Sequence, residues 1–292
     1  MPRLAVQIIL YKSSQHLTPL LDSLKAQTYR DFEVFFLDNS EDSIESEYSR
    51  ALVSAYDSQA SFQVSRTNNG FDGGHDEMYR MHESPFVLLL NDDTKLDPEY
   101  FEQAMKRIES DERIASVTGL VYRMDGKTVD TSGIEYKCLA RIVDRQIIPS
   151  SDGEVFGVSG AIALYRRSAI EKAGGLFDPS WFMYKEDVDL ALRLRRAGFI
   201  AWFEPRAIAW HERGLQQKRN LFERFLAEWK RPARLRRCAY ANQLRIYRRH
   251  FRWSLGWRDI VSSIVVELLR SAGTFIVSPI VFVQSWYDVL AS

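Results

Sequence analysis

Five features of this 292-residue chain have residue types and spacings that could do chemistry. The densest is Asn91-Asp92-Asp93, inside FVLLLNDDTKLDPEYFE at residues 86–102, where an apolar run leads straight into an acidic pair. Neighbouring carboxylates repel each other and resist desolvation, so a pair at the end of a buried strand calls for a cation or a solvated cleft. A hard divalent cation takes oxygen ligands, often only one or two of them carboxylates, and keeps positions for substrate phosphates. The plain alternative is that the two acids cap a turn.

In WFMYKEDVDLALRLRRAGF, residues 181–199, Glu186, Asp187 and Asp189 open a helix, where the dipole favours acids whatever their function. Trp181, Phe182, Met183 and Tyr184 stand before them as an apolar and aromatic wall. A carboxylate beside such a wall can serve as a general base, worth roughly 10²- to 10⁴-fold. His211 in AWHERG follows an apolar strand; alone it reads as structural, but a neutral imidazole could complete coordination begun by Asp93. Asp38 in LDNSEDS could hold a base or ribose, or turn the chain before Ser43. The stretch NNGFDGGHD at residues 68–76 could bring backbone N–H groups to a diphosphate, although Gly70, Gly73 and Gly74 do not have the GxGxxG spacing.

Positioning these groups falls to alternating elements. Strand signals cover residues 4–10, 33–37, 62–65 and 86–90, and helix signals cover 16–27, 43–58, 73–81 and 97–109, the last with Pro98 at its first position. Repeated βα units predict a mostly parallel sheet covered by helices on both faces. Ligands of such sheets gather at the carboxyl ends of the strands, where Asp38 and residues 91–93 fall. A strand over 114–121 precedes an irregular stretch, 122–157, long enough to cover a site. Residues 158–165 are small and apolar, 186–197 read as a helix, and 200–203 and 207–210 as the last short strands.

Lys+Arg and Asp+Glu are both 39, so net charge selects no partner, but the distribution does. Between Arg213 and Arg258 fourteen Lys/Arg stand against two acids, Glu223 and Glu228. Residues 215–250 read as a basic helical segment with interleaved aromatics, and 260–290 as strongly apolar, charged only at Glu267, Arg270 and Asp288. The uncharged run 271–287 is marginal for crossing a bilayer. Interfacial helices, basic toward anionic lipid and with Trp/Tyr at headgroup depth, account better for the composition. The alternative is a helical hairpin packed on the rest of the chain or on a second copy, which leaves a homo-oligomer open. Nucleic acid is a poorer partner than lipid because the apolar stretch follows the basic one. Cys138 and Cys238 sit in no metal-ligand spacing, which suits a reducing compartment, and the first apolar run reads as a buried strand rather than a leader.

Taken in order, the first strand, VFFLDNSEDS, NNGFDGG, VLLLNDDT, VSGAIALYRRSAIEKAGGLFD, FMYKEDVDLALRLRRAG and AWHERG resemble the inverting family 2 glycosyltransferases of the GT-A fold. The resemblance covers residues 4–214 and is strongest to the bacterial rhamnosyltransferase and galactofuranosyltransferase branch. It implies an α/β GT-A domain over residues 1–214, with a Rossmann-like, mostly parallel sheet flanked by helices; beyond it, the composition predicts a helical, membrane-associated extension over 215–292. It implies a nucleotide-sugar donor, dTDP-rhamnose or a UDP-sugar, and a glycan or lipid-linked acceptor on the cytoplasmic face of the cell membrane, in cell-surface polysaccharide synthesis. Asp38, Asp92, Gly70, Gly73 and Gly74 would contact the donor, and Asp93 with Asn91 and His211 would hold Mn²⁺ or Mg²⁺. Asp187 would be the general base, with Trp181 and Glu186 facing the acceptor.

Two departures from the family pattern stand out: LYKSS where a Tyr-Asn pair is more frequent, and His75-Asp76 where Asn is frequent. A Rossmann-type oxidoreductase is excluded because LYKSSQHLTP, after the first strand, has no glycine. A non-catalytic nucleotide-sugar-binding or scaffold subunit with the same fold is the remaining alternative; Asp93, Asp187 and His211 together argue against it.

Overall fold

LAVQIIL and FVLLLN become the middle of a sheet because they are apolar at nearly every position, as strands covered on both faces must be. In the computed structural model, which describes residues 2–57, 60–212, 230–250 and 257–291, β1 (Leu4–Leu10) pairs in parallel with β2 (Phe32–Asp38) and β4 (Phe86–Asn91). A fourth strand, β3 (Ser61–Val64), continues the parallel set beyond β2. Three crossover helices, α1 (Ser14–Lys25), α2 (Ser43–Tyr56) and α3 (Gly70–Tyr79), connect these strands. The first buries Leu17, Leu20, Leu21 and Leu24, an i, i+3, i+4, i+7 stripe.

Beyond β4 the sheet becomes mixed. Strand β11 (Ile162–Arg166) runs antiparallel between β4 and β6 (Ile114–Arg123), and β12 (Ile200–His211) lies parallel to β6. Three short strands pair antiparallel at this side: β5 (Thr94–Leu96) and β10 (Gly153–Val155) with β12, and β7 (Val129–Thr131) with β6. The main order is therefore β10-β12-β6-β11-β4-β1-β2-β3, with β8 (Ile134–Cys138) and β9 (Arg141–Asp144) forming a separate hairpin. The irregular stretch expected at 122–157 thus contains four short strands.

Two local expectations change. The helix expected from residue 97 begins later, as α4 (Tyr100–Glu109), because Thr94–Leu96 is recruited to β12 and Asp97 N–H then donates to the Ile208 carbonyl at 3.0 Å. Pro98 lies in the turn before the helix. The two strands expected at 200–203 and 207–210 are one strand, with a register shift between Phe203 and Ile208 where Pro205 offers no N–H to a ladder.

Buried Gln7 explains one departure from the family pattern. Its side-chain oxygen accepts from His82 Nε2 and Tyr79 N–H, each at 3.0 Å, and its amide nitrogen donates to His75 Nδ1 at 3.1 Å. Burial pushes His75 down to about 3 and His82 down to about 4, so both imidazoles are neutral. His75 is a polar partner inside the core under α3.

The chain divides into two compact units, one of residues 1–135, 144–182 and 186–213, the other of residues 136–143, 183–185 and 214–292. The first holds the main sheet with α5 (Arg167–Lys172) and α6 (Glu186–Arg196). The second contains α7 (Ala233–His250), α8 (Trp257–Val277) and α9 (Pro279–Ala291). Tyr240, Leu244 and Val289 form its small core, with Phe282 stacked on Tyr240 at 5.9 Å. Polar side chains of these helices hold two excursions of backbone. Asp259 accepts from the Tyr136 hydroxyl and the Leu139 N–H, and Arg270 donates to the Ala140 carbonyl at 2.7 Å. Asn242, fully buried, donates to the carbonyls of Met183 and Tyr184, both at 2.9 Å.

Among the described residues α8 is the one helix long and apolar enough to cross a membrane, with mean hydropathy 1.7 over its most apolar window and only 6% of that window buried. The uncharged run 271–287 does not continue as one helix; it breaks at Ser278 before Pro279, which then opens α9. The boundary expected at 214/215, and the basic segment from 213 to 229, lie outside the described residues.

Candidate active site

The acidic pair that ends β4 is split in two directions. Because β5 pairs with β12 so that Thr94 faces His211, Asp93 is carried beside that histidine, and the Glu212 N–H donates to the Asp93 carbonyl at 2.9 Å. His211 Nε2 lies 3.1 Å from Asp93 Oδ1 and 3.4 Å from the Asn91 side-chain amide. Its other nitrogen, Nδ1, lies 2.9 Å from Oδ2 of Asp130, a fully buried carboxylate on β7. Burial works against charge on His211, but hydrogen bonds to Asp130 and Asp93 prevail and push it up to about 9. The same contact holds Asp93 below its ordinary value against the pull of burial.

Asp92 turns the other way. It accepts from the Tyr11 N–H at 3.4 Å, at the end of β1, and burial, reinforced by the charge of Asp93, pushes it up to about 6. One acid of the pair is therefore stabilised as an anion and the other is held closer to neutrality.

This donor set fits a divalent cation of the kind that leaves room for substrate. Among the described residues no group of three or more His, Cys, Asp and Glu converges as a closed cage. Asp93 and His211 do converge, and Asp130 orients the imbedded imidazole from behind in the carboxylate–histidine arrangement that accompanies metal-binding histidines. Two such donors, with the Asn91 amide nearby, would leave positions for phosphate oxygens and water on a cation held there.

A second constellation is tied to the same end of β4. The antiparallel pairing of β11 with β4 places Ala161 beside Asn91, whose N–H donates to the Ala161 carbonyl at 2.9 Å. The preceding residue, Gly160, donates its N–H to Asp187 Oδ2 at 3.3 Å, and Asp187 Oδ1 accepts from the Val188 N–H at 2.8 Å. Glu186 and Asp187 are half-buried. Asp189 turns inward and pairs with Arg193 at 2.7 Å, while that arginine also donates to three carbonyls of residues 173–176, so this acid is structural. Trp181 is 1% exposed and presents no open face to an acceptor in this structure. The backbone leading into the pair is unusual: Phe182, Tyr184 and Lys185 have φ of 69°, 77° and 72°, a region that non-glycine residues rarely occupy.

The donor-side residues are largely engaged within the protein. Asp38 is 1% exposed; its Oδ1 accepts from the Ser40 N–H at 2.8 Å and its Oδ2 from the Ser46 hydroxyl. Asp42, not Asp38, caps α2. Gly70 has φ +72°, and a Cβ there would stand 2.2 Å from the Phe182 carbonyl oxygen. Its N–H is taken by the Asn68 side chain and that of Asp72 by the Phe182 carbonyl. Gly73 and Gly74 lie inside α3, where a Cβ on Gly74 would meet Ile9 at 2.7 Å. The glycines thus serve close packing of α3 against β1 and the 182 turn.

Two residues here escape a reading of the sequence. Asp130 lies in the stretch 122–157 and carries no local signal; only the pairing of β7 with β6 brings it behind His211. Asp72, inside the glycine-rich motif, reads as an ordinary first-turn acid, yet it is fully buried and, among the described residues, neither carboxylate oxygen has a hydrogen-bond partner. Burial, then the charges of Glu186 and Asp187, raise it well above the ordinary carboxylate range, so it is a neutral acid beneath that pair.

Comparison with known proteins bears on the family and the fold. The profile of the family described as "Glycosyltransferase like family 2" matches residues 2–229. An N-acetylglucosaminyl-diphospho-decaprenol L-rhamnosyltransferase of Mycobacterium tuberculosis is 44% identical over 63 residues, 22% of this chain and 20% of that protein. The rhamnosyltransferase WbbL of Escherichia coli K12 is 31% identical over 147 residues, 46% of this chain; the match spans only 55% of that protein. In fold, the chain resembles the mannosyltransferase PcManGT of Pyrobaculum calidifontis, solved with GDP-Man and Mn²⁺, with TM-score 0.59 at 12% identity over 100% of this chain and 76% of that one. It also resembles GalNAc-T7, solved with UDP, GalNAc and Mn²⁺, with TM-score 0.62 at 12% identity over 75% of this chain and 45% of that one. These likenesses confirm the GT-A architecture of a mixed sheet flanked by helices. The chain belongs to glycosyltransferase family 2, enzymes that transfer a sugar from a nucleotide-sugar donor.

Proposed function

We propose that this enzyme transfers a sugar from dTDP-rhamnose or a UDP-sugar to a hydroxyl of a glycan or lipid-linked glycan, with inversion and with Mn²⁺ or Mg²⁺ bound at Asp93, His211 and Asn91. The observation that carries the reading is the 3.1 Å approach of Asp93 to His211, with Asp130 bracing the imidazole from behind. The two rhamnosyltransferase relatives support the donor, and the Mn²⁺ of the two structural neighbours supports the metal. When bound, the cation offsets charge developing on the nucleoside diphosphate as it leaves. Asp130 holds the His211 Nδ1 proton, so the proton that a cation would displace is the one on Nε2, beside Asp93. Asp187 accepts the proton of the acceptor hydroxyl as its oxygen bonds to the anomeric carbon and the bond from that carbon to the phosphate oxygen breaks. The Gly160 N–H fixes the carboxylate for that task.

In this reading residues 1–214 are the transferase and the C-terminal helices attach it to the cytoplasmic membrane face. Support comes from the exposed Leu268, Leu269, Phe275, Ile276 and Leu290 on α8 and α9, an apolar surface that water does not favour. Isothermal titration with UDP and with dTDP, with and without Mn²⁺, tests the site. Metal-dependent binding that disappears in Asp93→Ala is expected; equal binding with and without metal, or in the variant, overturns it.

A further inference from the structure

The second unit contains a cavity of about 430 Å³ with a composition that the transferase chemistry does not explain. Its walls are apolar, from Ala239 on α7, Gly273 and Val277 on α8, and Val281 on α9, and its lining includes the cations Lys185, Arg236 and Arg270. Arg270 is paired with Glu267 at 3.1 Å, and Lys185 donates to the Ile142 carbonyl at 3.4 Å, so the charge that an anion would complete is that of Arg236. Among the described residues Arg236 has no carboxylate partner: it donates to the Ser278 hydroxyl, and its buried Nε makes no hydrogen bond. A buried guanidinium N–H without a hydrogen bond is costly unless an anion completes it. The size lies within the range of sites for small molecules, about 300–1,000 Å³. The wall-forming α8 and α9 carry the exposed apolar surface described above.

We propose that this cavity binds the phosphate-bearing end of an amphiphile, the diphosphate and first apolar segment of a lipid-linked sugar acceptor. This rests on the reading of the enzyme as a transferase with a lipid-linked acceptor. Charge complementarity selects an anionic head, and the apolar walls select a head attached to a hydrocarbon chain over free diphosphate. Lys185 favours the acceptor over bulk phospholipid, because the next two residues of the chain are Glu186 and Asp187.

Gly273 provides a clean test. A Cβ at this position would meet no atom within 4 Å, so Gly273→Leu fills the cavity without a backbone clash, and Gly273→Ala is the control that leaves it open. Binding of geranylgeranyl diphosphate to the full chain is measured beside inorganic pyrophosphate, phosphatidylglycerol vesicles, and UDP or dTDP with Mn²⁺. Expected are binding of the prenyl diphosphate well above pyrophosphate, an about 10-fold loss in Arg236→Gln and a larger loss in Gly273→Leu. Gly273→Ala should bind as the parent does, and nucleotide binding should be equal in all four proteins. Prenyl diphosphate affinity unchanged by both Arg236→Gln and Gly273→Leu overturns the proposal, and so does equal binding of pyrophosphate. Vesicle binding that falls in step with prenyl diphosphate binding also overturns it, by assigning the cations to bulk lipid. Loss of nucleotide binding with prenyl diphosphate binding intact would instead sink the donor-site reading and leave the cavity assignment standing.

Discussion

Asp93 owes its place to strand pairing, whereas Asp187 follows a turn of left-handed backbone that side chains must hold. On the first side, β4, β5, β7 and β12 bring Asp93, Asp130 and His211 together through ladder register, and each neighbour is fixed by backbone hydrogen bonds. On the second, three non-glycine residues between 182 and 185 have positive φ, each costing on the order of 1–3 kcal/mol, and they are held by contacts from distant residues: Asn242 donates to the Met183 and Tyr184 carbonyls and the Asp72 N–H to the Phe182 carbonyl. In the proposed reading a cation site gains from rigidity, whereas a turn held by side-chain contacts can be altered without disturbing the donor side, and that separation can be measured.

The largest effect belongs to the acceptor side. Asp187→Asn keeps the shape and removes the proposed proton acceptor, so kcat is expected to fall roughly 10²- to 10⁴-fold while Mn²⁺-dependent nucleotide affinity stays at the parental value. A parallel fall in nucleotide affinity would show that the two sides are not separable. Next comes the donor side. Asp130→Ala removes the brace on His211 and is expected to weaken Mn²⁺-dependent nucleotide binding about 10- to 100-fold, the usual effect of losing an outer-shell partner. Binding unchanged in titration would mean that strand register alone orients the imidazole.

Asn242→Ala asks how the left-handed turn is held. The substitution leaves the Met183 and Tyr184 carbonyls without their shared donor, at an expected cost of about 1–3 kcal/mol in denaturant unfolding. It should lower kcat and leave nucleotide affinity alone. A variant with parental kcat would show that the turn keeps its conformation without the clamp.

These contrasts follow what the sequence could and could not reveal. Strands β1, β2 and β4 are legible because burial on both faces demands continuous apolar runs, and the acids at their ends are conspicuous against that background. The motif order identifies the family because each motif ends a separate strand or opens a helix. Short strands are a different matter: β5 and β7 have three residues each, too few to show a period, and they are the elements that bring Asp93 and Asp130 to His211. Asn242 is equally hidden, since an asparagine within a basic helix signals nothing until its carbonyl partners, some sixty residues earlier in the chain, are known. Local chemistry and the pairing of His211 with Asp93 were readable; Asp130 and Asn242 as partners were not.

Asp72 gives a comparison that depends on pH. Its folded-state proton affinity is raised, first by burial and then by Glu186 and Asp187, so its contribution to stability is complete below the unfolded carboxylate range and is lost as pH rises toward the folded value. Asp72→Asn is neutral at every pH and has nearly the same shape. The variant should therefore gain on the parent as pH is raised from mildly acid to neutral, in urea unfolding at a series of pH values. A constant difference across that range would mean that Asp72 is not held neutral by its surroundings.

The smallest expected effect concerns Lys12, the departure from the more frequent Tyr-Asn pair. Its φ is 54°, just after β1, in a region where asparagine and glycine are at ease and lysine is not. The frequent Asn at this position is then explained by backbone shape, without a side-chain contact to the donor. If so, Lys12→Asn should raise stability by a few tenths of a kcal/mol and Lys12→Gly by up to about 1 kcal/mol, both with unchanged nucleotide affinity. The turn also supplies the Tyr11 N–H to Asp92, so a backbone already at ease should leave that contact in place. A variant that changes nucleotide affinity with no gain in stability would place the side chain itself at the donor and reverse the argument.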